Sequence, residues 1–128
     1  MMLITAKACA DPSTTSRTAI SLKPGVITRI IVLIPYGHKA LAKLRFVRGA
    51  TQIIPDVGWI QGDGETLEWS EMVDVPTDET WTAEVVNDDS TYPHCFYIRI
   101  EIQPKTVAKP LDSLLGIFKR LLEVMGIE

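Results

Sequence analysis

The chain has 128 residues and a formal net charge of −3, with 46% hydrophobic and 23% charged residues. This size allows one domain with a single core, and the apolar content excludes a disordered chain. The net negative charge argues against general binding to nucleic acid, whose phosphate backbone requires a basic surface.

The N-terminal segment, residues 1–9, carries Lys7 where a signal peptide needs its apolar run, and it is too short for one. The longest apolar stretch, residues 30–34, ends at Pro35 and is far shorter than the roughly 20 residues needed to span a bilayer. We therefore expect a soluble protein that is made in the cytoplasm. It could leave the cell as part of a particle, and the alternative is that it stays in the cytoplasm.

Alternation of apolar and polar residues recurs through the first hundred positions and predicts an all-β domain over residues 1–103. The clearest strand covers residues 94–102, and a second covers 66–75, where only Glu71 falls on the apolar face. Further strands are predicted at residues 3–8, 18–22, 26–34, 44–47, 51–54 and 81–86. Eight short antiparallel strands favour a jelly-roll-like β-sandwich, with an immunoglobulin-like sandwich as the alternative.

The pattern changes after residue 103. Residues 104–110 are bounded by two prolines and predict an extended linker that could carry the following segment roughly 20 Å from the sandwich. Residues 111–127 predict an amphipathic helix, because apolar side chains recur there at helical spacing. A helix of this length is marginal in water, so we expect its stripe to bind its own sandwich or a neighbouring subunit. The stripe consists of Leu111, Leu114, Leu115, Phe118, Leu121, Leu122 and Met125.

Motifs for catalysis and for metal binding are absent from the sequence. His38 and His94 are the only two histidines, too few for the usual metal site of a cupin. No nucleophile elbow, phosphate-binding glycine loop or zinc-protease helix is present. His94 and Cys95 are unsuited to act as a catalytic pair, because adjacent strand residues point to opposite faces. We predict a protein that is not an enzyme and that uses no cofactor.

The two cysteines, Cys9 and Cys95, are too few for a disulfide-stapled scaffold. Neither has a second cysteine or a histidine at metal-ligand spacing. We expect free, mostly buried thiols, with a Cys9–Cys95 bridge as the less favoured alternative.

Charge is divided between the two halves of the chain. Acidic residues are absent between Asp11 and Asp56, and basic residues are absent between Arg48 and Arg99. Basic strands could pair with acidic strands within one molecule, or a basic face of one subunit could meet an acidic face of the next. The sequence leaves both explanations open. The basic residues of the first half are Arg17, Lys23, Arg29, Lys39, Lys43, Arg45 and Arg48.

Aromatic and acidic residues in the second half suggest an alternative function, a carbohydrate-binding module of the adhesin or lectin kind. Trp59 and Tyr92 lie in turn-rich segments and are candidate exposed platforms for a sugar ring. Asp63 and Asp88 belong to acidic loops at residues 62–65 and 87–90, which also offer oxygen ligands for Ca²⁺. Asp, Asn and Gly equally serve tight turns, and that structural role is the more common one.

The segments GWIQGDGETLEW at residues 58–69 and NDDSTYPH at 87–94, followed by the alternating final strand, carry a resemblance to a known class of proteins. Over about residues 26–102 the chain resembles structural proteins of bacteriophages and archaeal viruses. The resemblance implies a jelly-roll-like virion component, such as a decoration, spike or tail protein, that forms an oligomer such as a trimer. We therefore expect a structural protein that contacts itself and other virion proteins through its sandwich and its C-terminal helix.

Overall fold

The structure is a computed structural model, and it describes residues 1–104. The linker predicted from residue 104 onward and the helix predicted at 111–127, with its apolar stripe, lie outside the described residues except for Pro104. Residues 1–104 contain no helix long and apolar enough to cross a membrane. They form nine strands: β1 (Met2–Ala10), β2 (Thr15–Leu22), β3 (Gly25–Ile34), β4 (Ala42–Arg48), β5 (Thr51–Ile54), β6 (Glu65–Trp69), β7 (Val73–Val75), β8 (Glu79–Asn87) and β9 (His94–Pro104).

The strands form two antiparallel sheets. Sheet A has the order β1-β9-β3-β6, with β7 also pairing with β3, and sheet B has the order β2-β8-β4-β5. Buried side chains from both sheets form one hydrophobic core, whose largest members include Trp81, Phe46 and Phe96. The prediction of an all-β chain that folds as a sandwich is therefore confirmed for the described residues.

Alternation along the chain located most of the strands and their buried faces. In β9 the four apolar residues predicted to share a face, from Phe96 to Ile102, are each exposed by 3% or less. The segment 66–75 differs from the prediction, because it forms two strands separated by residues 70–72. Glu71 and Met72 lie in that interruption and are exposed, which explains why Glu71 did not fit the alternation.

The central strand β3 is apolar on both of its faces. Ile30, Val32 and Ile34 point into the core and are buried. Ile31 and Leu33 alternate with them and therefore point to the outer face of sheet A, where Leu33 remains 45% exposed.

The two cysteines form a disulfide, so the expectation of free thiols is wrong. Cys9 of β1 and Cys95 of β9 lie directly opposite each other in the strand register, with their Cα atoms 4.0 Å apart. The two cysteines meet because the first and last strands of the described chain are neighbours in sheet A. The cysteines are separated by 86 positions in the sequence, so no local pattern signals that pairing.

The charged halves of the chain meet within one molecule. In sheet B, Arg45 and Arg17 both bind the buried carboxylate of Glu84, at 2.7 Å and 3.0 Å. In sheet A, Arg29 binds Glu68 of the acidic half at 3.3 Å. It also binds Glu101, outside that half, at 2.6 Å, and the hydrogen bonds from this guanidinium hold the pKa of Glu101 below its ordinary value. The remaining basic residues of the first half, apart from Lys39, pair in the same way: Lys23 with Asp78, Lys43 with Asp88 and Arg48 with Glu79. The described ion pairs therefore support the first of the two explanations.

Candidate functional site

A pocket of about 520 Å³ opens at one end of the sandwich. It lies between the loop that joins β3 to β4, residues 35–41, and the loop that joins β8 to β9, residues 88–93. Its lining consists of Tyr36, Gly37, Lys39, Leu41, Asp89, Thr91, Tyr92, Pro93 and His94.

Two buried residues, Asp89 and His94, belong to this lining. The His94 Nε2–H donates to Asp89 Oδ2 at 2.8 Å, and the backbone N–H of Thr91 donates to Asp89 Oδ1 at 2.8 Å. The Thr91 N–H and then His94 hold the pKa of the Asp89 carboxyl below its ordinary value. Asp89 is therefore an ionised carboxylate whose two oxygens both accept hydrogen bonds from the protein.

His38 supports the pocket from the interior. Its ring lies 4.6 Å from the ring of His94 and meets Phe96 edge-on at 4.9 Å. Because His38 Nε2 lies 2.9 Å from the carbonyl oxygen of Cys95, this nitrogen must carry the proton and donate. The other ring nitrogen has no hydrogen-bond partner among the described residues. Burial, and then the neighbouring His94, lower the pKa of His38, so the ring is held neutral.

Hydrogen bonds between neighbouring loops fix the walls of the pocket. The Asn87 side-chain amide donates to the carbonyl oxygens of Ala10 and Tyr92, at 3.1 Å and 2.9 Å. On the opposite wall the Gly37 N–H donates to Asp63 Oδ1 at 2.7 Å, and the Ala40 N–H donates to the Gly62 carbonyl oxygen at 3.1 Å. The loops are thus held in place by the protein itself.

Two tyrosines stand at the rim with large exposed surfaces. Tyr36 is 87% exposed and Tyr92 is 64% exposed. The Tyr36 ring lies against Gly64, where a Cβ atom would come within 2.2 Å of its Cε1 atom. Gly64 also has a φ of +64°, which favours glycine. Glycine at position 64 therefore leaves room for the Tyr36 ring against the loop, while most of the side chain stays open to solvent.

The structure separates the four residues predicted as sugar ligands. Tyr92 lines the pocket, whereas Trp59 is half-buried beneath the Arg45 guanidinium, 4.6 Å from its ring centre. Asp63 accepts the hydrogen bond from the opposite wall, and Asp88 pairs with Lys43 at 3.2 Å. The carboxylates of the acidic loops thus have structural partners, and residues 1–104 hold no group of three or more His, Cys, Asp or Glu placed to bind a metal ion.

Of the nine lining residues, only Tyr92 was predicted by name as a ligand, and Asp89 belongs to the acidic loop predicted at residues 87–90. Tyr36, Lys39 and His94 are among those that the sequence analysis missed. The turn at residues 35–37 offered one usable signal, because an aromatic residue between proline and glycine is poorly placed to join a strand. His94 gave none, since it is also the first residue of β9 and fits the strand pattern.

Comparison with known proteins gives only low structural similarity. No family model and no curated protein match the chain. PliG of Aeromonas hydrophila, a periplasmic inhibitor of g-type lysozyme, is 18% identical with a TM-score of 0.45, and the match covers 79% of this chain and 86% of PliG. FlhE is 10% identical with a TM-score of 0.47, over 79% of this chain and 94% of FlhE. A protein of the disulfide-linked pili that form Bacillus endospore appendages is 14% identical with a TM-score of 0.35, over 80% and 89%. None of the three is a virion protein, and similarity at this level carries no argument about function.

Proposed function

We propose that this chain is a non-enzymatic structural protein of the virion type, which assembles with further copies of itself through the outer face of sheet A and the apolar stripe of residues 111–125. The observation that carries the proposal is an apolar patch on that face. The patch, called here the outer patch, consists of Ile31, Leu33 and Tyr97. Leu33 and Tyr97 are exposed by 45% and 41%.

The register of the strands brings these side chains together. Leu33 of β3 lies opposite Tyr97 of β9, and Ile31 lies opposite Arg99. Between them is a shallow depression of about 260 Å³. The Lys7 ammonium lies 5.6 Å from the centre of the Tyr97 ring. An apolar centre that contains tyrosine, with basic groups around it, is typical of a protein–protein interface.

The outer faces of the two sheets differ in chemistry. On sheet B the outward side chains include Arg17, Arg45, Glu84 and Thr82, which form ion pairs or contact solvent. On sheet A the central strand contributes Ile31 and Leu33, next to the Arg29–Glu101 ion pair on the same face. A strand that is apolar on both faces is typical of a sheet covered on both sides. An exposed patch of this kind therefore supports a docking partner for sheet A.

The proposed occupant is the segment 111–125 of a neighbouring copy. As a helix its 15 residues would be about 22 Å long. The outer face of β9 from Tyr97 to Gln103 extends about 20 Å at strand spacing, so the stripe and the face have similar lengths. Pro104 ends β9 in this same sheet, and an extended linker after it, as the sequence predicts, would be long enough to reach a neighbouring copy.

The topology gives independent support. The pairs β1–β9, β2–β8, β3–β6 and β4–β5 are all antiparallel. When β7 is set aside, the first strand pairs with the last strand, the second with the next to last, and so on inward. This nested pairing of strands corresponds to a jelly roll. We infer this fold for the sandwich. Jelly rolls form viral capsid domains, and they also form lectin and cupin domains, so the fold supports the virion setting without assigning it.

The disulfide also favours a particle surface. Disulfides persist in oxidising surroundings, which include the surfaces of virions, and are rare in cytosolic proteins. Cys9–Cys95 therefore supports a final location on the outside of a particle over the cytoplasmic alternative.

Light scattering coupled to size exclusion tests the proposal on the full chain. We expect the wild type to be an oligomer, and Leu33→Glu and Phe118→Glu each to give a monomer, because each introduces a charge into one side of the proposed contact. Ala19→Glu is the matched control, since it adds the same charge on the outer face of sheet B. A monomeric wild type at about 100 µM, near the weak end of specific association, would contradict self-assembly.

A further inference from the structure

The residues that line the pocket at the end of the sandwich are not those of the outer patch, and their chemistry suits a different ligand. We propose that this pocket binds a saccharide that carries a carboxylate group, with Tyr36 and Tyr92 packing on the sugar ring and Lys39 pairing with the carboxylate. This inference goes beyond the proposed assembly function and does not depend on it.

The pocket has the preorganisation that a weakly binding, polar ligand requires. The bonds from Asn87 and to Asp63 already hold its two loops, so little conformational entropy is lost when a ligand binds. Its volume of about 520 Å³ lies within the range of small-molecule sites in proteins. The loops of the pocket would therefore need little rearrangement when the ligand binds.

The two tyrosines match the surface of a pyranose ring. One face of such a ring presents C–H groups, which pack on an aromatic face, while its hydroxyl groups need hydrogen-bonding partners at the edge. Tyrosine supplies both, a rigid aromatic face and a phenolic hydroxyl. Tyr36 lies against Gly64 with most of its side chain open to solvent, and Tyr92 is joined to the framework through the bond from Asn87 to its carbonyl oxygen.

The charges of the lining favour an acidic sugar over a neutral one. Asp89 is paired with His94 and with the Thr91 N–H, so its negative charge is already compensated. Lys39 is exposed and takes part in none of the ion pairs found within residues 1–104. The pocket thus presents one uncompensated cation beside its aromatic rim, and a carboxylate on the sugar is the complementary group.

The proposal is tested with the full chain on an immobilised array of sialylated, uronate-containing and neutral glycans, followed by calorimetry in solution with the best-retained glycan. We expect retention of acidic glycans and at least tenfold weaker retention of their neutral counterparts. Tyr92→Ala and Lys39→Gln should each weaken binding at least tenfold. Both side chains are exposed, so we expect these variants to keep the wild-type circular dichroism spectrum.

Tyr97→Ala is the matched control, because it removes an exposed tyrosine from the outer patch and leaves the pocket untouched. It should bind glycan as the wild type does. Retention of no glycan, equal retention of neutral and acidic glycans, or wild-type binding by Tyr92→Ala would each overturn the proposal. Assembly is measured separately, by the mass of the wild-type protein in solution. A monomeric wild type would therefore contradict the assembly proposal without deciding the saccharide proposal.

Discussion

Removal of the Cys9–Cys95 disulfide should destabilise the sandwich strongly, because the bridge closes almost the whole described chain into a loop. The two cysteines are 86 residues apart. The chain-entropy relation gives about 4.6 kcal/mol for a loop of this length, and measured effects of disulfides commonly lie at about 2–4 kcal/mol. For the double variant Cys9→Ala/Cys95→Ala we therefore expect the free energy of unfolding to fall by about 3 to 4.5 kcal/mol.

The loss should appear as a shift of the melting temperature by about 12 to 18 °C, since a domain of this size changes by about 4 °C per kcal/mol. Urea unfolding followed by circular dichroism measures the free energy directly, and reduced wild type should match the double variant. Runs at two protein concentrations separate any contribution of subunit dissociation. An unchanged urea midpoint in the double variant, or two alkylatable thiols in the native protein, would refute the reasoning.

Three further predictions concern single residues. The melting temperature should fall as the pH is lowered from 7 to 5, because the folded state depresses the pKa of His38, so the unfolded state takes up the proton first, near pH 6.5. His38→Gln should flatten this dependence in thermal melts. Gly64→Ala should lower the free energy of unfolding by about 1 kcal/mol in urea, because alanine is strained at a φ of +64° and the Tyr36 ring must move aside for the new Cβ. Glu84→Ala should lower the free energy of unfolding by about 1–2 kcal/mol in the same urea measurement, because it removes the carboxylate that two arginines bind. Both arginines keep partial contact with solvent, which limits the loss.

Matched variants identify the cause in each case. Gly49 has a similar φ of +62°, but the space around a new methyl group there is open. Gly49→Ala should therefore lower the free energy of unfolding by less than Gly64→Ala does. Glu71→Ala removes an exposed carboxylate and should change stability by less than about 0.5 kcal/mol. An undiminished pH dependence in His38→Gln would show that groups other than His38 cause it.

Local patterning was sufficient to predict most of the sheet structure. The buried face of β9 and the bounds of β5 follow from alternation and turn residues alone, because the side-chain period of a strand is a property of neighbouring residues. The division between β6 and β7 was missed, although Glu71 signalled it by breaking the alternation. A single mismatched residue is weak evidence, since edge strands tolerate such exceptions.

The pocket was predictable only in part, because its residues come from separate loops. Tyr92 was identified as an exposed aromatic in a turn, and the structure places it at the rim. Tyr36 owes its open position to Gly64, which lies 28 positions further along the chain and makes room for the ring. Trp59 was expected to be an exposed platform, but Arg45 of β4 covers its ring.

The sequence by itself determined the class of the domain, the faces of its strands and the apolar character of β3, because these depend on spacing along the chain. Only the tertiary structure decided that Cys9 faces Cys95, that Glu84 takes two arginines, and that two exposed tyrosines share one pocket. These contacts join residues far apart in sequence. They form because the two sheets bury a common core in one register, and a slip of one residue in a strand would turn its apolar side chains outward.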